Sequence, residues 1–164
     1  MFLKGLFSSA SSDAVFRSPM KGTLVALDQV PDEAFAGKVL GDGIAIDPSE
    51  GVVVSPVDAD VAQVFRTHHA IGLVTASGFE ILIHVGIDTV KMNGEGFRSF
   101  VKAGDKVKVG DKLLEFDLAL VKAKAKSAIS PMVVTNMDLV KSVENRAQGA
   151  VTLGQEILRV KKKD

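Results

Sequence analysis

The sequence predicts an all-β fold: a single-domain β-sandwich or barrel of many short antiparallel strands, with one or two short helices. Three observations carry this. From Val15 onward, short apolar runs recur about every ten residues, each closed by Gly, Pro, Asp or Ser, which is the spacing of strands joined by tight turns. Only Leu118 to Ser127 is rich in strong helix formers, here Ala, Lys and Leu. The 164 residues suffice to bury one sizeable core without staples, and no second domain is expected. Many short strands with little helix bury their apolar faces against one another, as two layers or a closed sheet.

In chain order, Met1 to Ser12 places Phe2, Leu3, Leu6 and Phe7 at helix-like spacing ahead of a serine-rich run. Residues 1–14 are read as a flexible N-terminal segment whose apolar face is too short for more than transient contact with a membrane or a partner. Residues 15–164 are read as the domain. Strands are expected around Thr23 to Leu27, Gly43 to Pro48, Val52 to Ser55, Val61 to Arg66, Ile71 to Ala76 and Phe79 to Val85. Three more are expected at Leu113 to Asp117, Met132 to Thr135 and Glu156 to Val160, with a helix at Leu118 to Ser127 between them. Ser18-Pro19-Met20, Ser55-Pro56-Val57 and Ser130-Pro131-Met132 echo one another, each leading to a Val- or Leu-rich stretch. Duplication of a small β unit leaves such echoes, and so does ordinary strand punctuation by Pro and Gly.

Composition narrows the function. Lys+Arg and Asp+Glu are both 20, so no net field holds the chain on nucleic acid or an anionic membrane. Aromatics are 5%, with no Trp or Tyr, which leaves few platforms for stacking single-stranded bases. Cysteine is absent, excluding disulfides, thiolate metal sites and a cysteine nucleophile. No apolar run reaches the roughly 18 residues of a membrane span, and the N-terminus lacks a secretory cleavage pattern. The cytosol is the expected compartment.

The stretch with chemical content is Phe79-Glu80-Ile81-Leu82-Ile83-His84-Val85-Gly86-Ile87-Asp88, an apolar strand broken by one histidine just before a glycine. Alternation puts Phe79, Ile81, Ile83 and Val85 on a core face and Glu80, Leu82 and His84 on the other. The same parity applied to Val64-Phe65-Arg66-Thr67-His68-His69 places Phe65, Thr67 and His69 together, and a pairing of His84 with His69 follows. Three chemistries use such a pair. A zinc site could take His69, His84 and Asp88, without an HExxH or HxH spacing; the others are a general acid/base pair and a phosphoryl-accepting imidazole. The last needs one ring nitrogen free and the other's proton fixed by a backbone carbonyl, which the His84-Val85-Gly86 turn can supply. His69 and backbone amides near Ile87 to Val90 can act as donors, and the Thr67 hydroxyl can orient His69.

Thr67-His68-His69-Ala70, Glu80 to Val90 with its His-Val-Gly-Ile-Asp-Thr-Val run, Asn93-Gly94-Glu95-Gly96-Phe97 and Gly41-Asp42-Gly43-Ile44-Ala45-Ile46 closely resemble the glucose-type enzyme IIA of the bacterial phosphoenolpyruvate-dependent sugar phosphotransferase system. The resemblance runs from about Val15 to Lys161. It implies that His84 is phosphorylated, that His69 hydrogen-bonds the phosphoryl group, and that His68 is a surface residue. It further implies a cytosolic carrier that takes the phosphoryl group from the carrier protein HPr and gives it to a cysteine of a permease IIB domain, without metal or organic cofactor. Phe35, Phe65 and Val90 would then form an apolar docking patch beside Gly86, with Asp32 and Asp88 as its acidic rim. Regulatory targets belong to the same expectation, and nucleic acid does not.

Overall fold

The computed structural model describes residues 13–164. Its largest sheet has eight strands, all paired antiparallel, in the order β13-β2-β3-β11-β7-β6-β5-β9. These are β2 (Gly22–Val25), β3 (Asp42–Pro48), β5 (Ala59–Val64), β6 (Ala70–Val74), β7 (Glu80–His84), β9 (Lys106–Val107), β11 (Ser130–Val134) and β13 (Ala150–Val151). Two three-stranded sheets complete the fold. One joins β1 (Asp13–Arg17), β14 (Glu156–Lys162) and β12 (Val140–Asn145), and the other β4 (Val52–Val54), β10 (Lys112–Phe116) and β8 (Phe97–Ser99).

The middle of the large sheet is covered on both faces, and alternation decides which side chain goes where. Ile44 and Ile46 of β3, Ile81 and Ile83 of β7, and Met132 and Val134 of β11 enter the main core with Phe16, Phe79, Leu113 and Leu158. Their neighbours Ala45, Leu82 and Val133 face a second, smaller cluster with Leu27, Val30, Phe35 and Ile87. That two-sided burial explains why all of β11 is buried and why its run Met132-Val133-Val134 shows no polar alternation. The second cluster is roofed by a 3-10 turn, Leu27–Gln29, and helix α1, Glu33–Ala36. Asp32 starts α1 by accepting the Ala34 amide at 2.8 Å, the usual way an N-terminal turn satisfies an orphan donor. Phe35, 4% exposed, then locks the roof down, a burial that contributes about 2 kcal/mol.

The expected all-β sandwich is found, with several boundaries displaced. An unexpected strand, β1, runs from Asp13, ahead of the Val15 domain boundary, pairing from Asp13 opposite Lys161 and placing Phe16 in the core. The segment Met1 to Ser12, read above as a transient surface contact, lies outside the described residues. The helix α2 covers Leu118–Lys124 rather than reaching Ser127. Its end is pulled away because the Lys126 amide donates to the Ile87 carbonyl and the Ser127 carbonyl accepts the Ile87 amide. Strand β5 ends at Val64, not Arg66, and Leu27 belongs to a 3-10 turn rather than to β2. The strands β1, β8, β9, β12 and β13 have no counterpart among the strands expected from the sequence. As for the three serine echoes, Ser18 Oγ donates to Met20 O at 2.7 Å and Ser55 Oγ to Val57 O at 2.6 Å. Local turn chemistry accounts for those two. Ser130 makes different bonds, described below.

Candidate functional site

His84 ends β7, and directly opposite it β6 begins at Ala70. Cross-strand partners share a face, so strict alternation would send His69 to the opposite face from His84. The turn between β5 and β6 breaks that rule. The His68 amide donates to Phe65 O at 2.7 Å, the Phe65 amide donates to Ala70 O at 3.0 Å, and His68 takes φ 57°. The left-handed residue swings His69 back toward His84. The two rings stand nearly perpendicular, centroids 4.9 Å apart, and the Val85 amide donates to His69 O at 2.7 Å. The sequence therefore pairs the right two histidines for an incomplete reason: parity does not survive past Val64.

Hydrogen bonds assign the ring nitrogens. His84 Nδ1 lies 2.8 Å from the Gly86 carbonyl oxygen, and a carbonyl can only accept. Nδ1 thus carries the proton and Nε2 keeps its lone pair. The Thr67 hydroxyl lies 2.5 Å from His69 Nδ1. With that hydroxyl donating, His69 becomes an Nε2–H donor beside His84. The Gly86 turn admits no other residue: φ is +66°, and an added Cβ would stand 2.8 Å from Ser127 O and 2.7 Å from Thr89 Cγ2. Thr89, itself buried, ties the turn by donating to Val85 O.

Electrostatics keep both rings neutral near pH 7. Burial, and secondarily the neighbouring His84, hold His69 down to about 4 from 6.5. Burial also pushes His84 below its ordinary value, opposed by the Gly86 carbonyl and by the Asp32 and Asp88 carboxylates. Those three opposing groups favour positive charge on the His84 ring.

The remaining predicted residues divide. Phe35 is buried, its ring 5.4 Å from that of His84, so it forms the wall behind the imidazole rather than an exposed contact. Phe65 is half-buried and meets His69 edge-on at 5.6 Å. It also lines, with Gly72 and Leu82, a depression of about 260 Å³. Val90 is 50% exposed. Asp32 and Asp88 are both half-buried; Asp32 caps α1, and Asp88 lies 3.8 Å from Lys91 Nζ. Among the described residues no three His, Asp or Glu side chains are placed to hold a metal ion, so His69, His84 and Asp88 do not form the zinc arrangement weighed above. His68 is half-buried rather than freely exposed, and its Nδ1 has no hydrogen-bond partner. The sequence reading missed Val39 and Leu40, 77% and 40% exposed just after α1. Adjacent aliphatics between Gly37 and Gly41, in no periodic pattern, were the available sign.

A β-scaffold that offers a lone-pair nitrogen, with its other nitrogen pinned and a second imidazole alongside, has the makings of a carrier that moves a group from protein to protein. Residues 14–140 match the family described as phosphoenolpyruvate-dependent sugar phosphotransferase system, EIIA 1. The chain belongs to that family and is a phosphocarrier component of the sugar phosphotransferase system. It is 50% identical over 163 residues to the glucose-specific EIIA component of Bacillus cereus, covering 98% of each chain. It is 54% identical over 125 residues to the glucosamine-specific EIICBA component of Bacillus subtilis, covering 76% of this chain and 20% of that one. Among solved structures, the glucose permease IIA of Mycoplasma capricolum superposes with a TM-score of 0.86 at 40% identity, covering 90% of this chain and 95% of that one.

Proposed function

We propose that the protein accepts a phosphoryl group from phospho-HPr on Nε2 of His84 and passes it to a cysteine of a permease IIB domain, serving uptake of a glucose-type sugar in the cytoplasm. The observation that supports this reading above all is the His84 Nδ1–H bond to the Gly86 carbonyl. In acceptance, the bond from phosphorus to the donor's nitrogen breaks as Nε2 bonds to phosphorus in line, and the Nδ1 proton stays in place. The ring gains positive charge in that step, which the Gly86 carbonyl, Asp32 and Asp88 stabilise. His69, oriented by Thr67, donates to a phosphoryl oxygen. Catalysis is therefore mostly positioning and charge stabilisation, and the roles described need neither metal nor organic cofactor. Val90, Phe65 and the exposed Val39 and Leu40 suit a modest preformed docking surface for brief partners.

The direct test is intact mass spectrometry after incubation with phosphoenolpyruvate, enzyme I and HPr. One phosphoryl adduct, acid-labile and base-stable, is expected, and with preformed phospho-HPr as the donor EDTA should not reduce it. Loss with chelator and recovery with zinc would overturn the carrier reading.

The acidic rim gives a second expectation. Carboxylates flanking the site steer a basic donor and act mainly on the association rate. Asp32→Arg combined with Asp88→Arg should slow transfer from HPr about tenfold or more at low salt and flatten its salt dependence. Loss of the α1 cap costs about 1 kcal/mol, so circular dichroism must show an intact fold. Unchanged low-salt kinetics would remove both aspartates from the docking surface.

A further inference from the structure

We infer that Ser130, on a strand 44 residues from Gly86 in sequence, is a positioning residue for His84, acting through the Gly86 backbone to fix which imidazole nitrogen is the nucleophile. This rests on the phosphocarrier reading for its kinetic consequence, though not for its tautomeric one. Ser130 is 1% exposed, and its hydroxyl is fully engaged. It donates to Ala128 O at 2.9 Å and accepts the Gly86 amide at 2.9 Å. The next amide, Ile87 N, donates to Ser127 O at 2.9 Å, and the Lys126 amide donates to Ile87 O at 3.1 Å. Both amides flanking the Gly86 Cα are thereby held by one short segment, residues 127–130, that leads from α2 into the start of β11. The Gly86 carbonyl lies between them, and it is the group that receives the His84 Nδ1 proton.

A left-handed glycine has broad conformational freedom. Left to itself, it would let the carbonyl wander. Removing the Ser130 hydroxyl orphans a buried amide, which the turn can relieve only by rotating about Gly86. That rotation carries the carbonyl off its line to Nδ1. His84 would then sample the Nε2–H tautomer, in which the outward nitrogen has no lone pair to offer. The serine in Ser130-Pro131-Met132 is thus set apart from its echoes, since Ser18 and Ser55 bond only within their own turns.

The experiment is nitrogen NMR of the His84 ring in unphosphorylated, 15N-labelled protein, paired with the rate of phosphorylation by phospho-HPr. Wild type should show one tautomer, protonated at Nδ1. Ser130→Ala and Ser130→Cys, the latter isosteric but a poor acceptor, should show mixed tautomers and phosphorylation slowed about tenfold to a hundredfold. Ser130→Thr, which keeps the hydroxyl, should restore both. Ser55→Ala removes a comparably buried hydroxyl far along the chain and should lower stability while leaving tautomer and rate alone. A single Nδ1–H tautomer with wild-type rate in folded Ser130→Ala or Ser130→Cys would overturn the inference. So would equal effects of Ser55→Ala, which would reduce Ser130 to general stability. If wild type takes no phosphoryl group on His84, the carrier reading fails, and the tautomer measurement still decides the role of Ser130.

Discussion

His84→Ala should abolish phosphoryl acceptance from phospho-HPr, with no adduct detectable by intact mass spectrometry. Neither His69 nor Thr67 can substitute. His69 is 4% exposed and held down to about 4, so its nitrogens are weakly basic and poorly reached by a second protein. Its Nδ1 is also occupied by the Thr67 hydroxyl. Thr67 has no base beside it other than that ring. The fold should survive, because His84 sits half-buried at the end of β7 and its replacement leaves Ile81 and Ile83 in the core. A melting temperature within a few degrees of wild type would confirm that chemistry, not folding, was lost. A phosphoryl adduct on the variant would place the acceptor elsewhere.

His69→Gln should spare acceptance and damage donation. A glutamine amide can still donate to a phosphoryl oxygen, so His84 remains a nucleophile. It cannot take on positive charge as the group departs toward the acceptor cysteine. Loss of about 3 kcal/mol of transition-state stabilisation corresponds to roughly a hundredfold slower onward transfer. Equal slowing of both half-reactions would reduce His69 to a positioning residue. The same substitution should alter the acid limb of stability. A histidine held at about 4 in the fold and at 6.5 unfolded binds protons more readily in the unfolded chain. Its contribution is therefore fully present above about 6.5 and declines as pH falls toward about 4. In His69→Gln that part of the decline should vanish from urea-unfolding curves measured across this window.

How far the sequence reached depended on whether local pattern and tertiary packing agreed. In β7 they did: Ile81 and Ile83 turn inward, Leu82 and His84 face the other way, and the period-2 pattern states this outright. Between Phe65 and His69 they did not, because a left-handed His68 resets the faces, and nothing in the composition of that turn announces it. Ala125 to Ser127 reads as helix, yet its backbone groups pair with Ile87 across the fold, and tertiary bonding overrides propensity. Strand β12 escaped because a register shift between Val140 and Ser142 breaks its alternation. β9 and β13 are two residues each, too short to carry a period. Asp32 was legible as an acid but not as the cap of α1, and Phe35 as an aromatic but not as a wall. Both depend on a roof that forms only over the second core cluster.

The pairing of Asp13 with Lys161 brings the first strand's start beside the last strand's end. The two ends of the described sandwich lie on neighbouring strands, like two leads from a single socket. A unit wired this way can be spliced into a longer polypeptide at either end, or inside one, without prising its layers apart. The matching stretch makes up 20% of the glucosamine-specific EIICBA component of Bacillus subtilis. On such a leash the phosphoryl-bearing face would meet its neighbour at a local concentration set by linker length rather than by cellular abundance. A unit of this kind without such a leash would instead have to find each partner by diffusion.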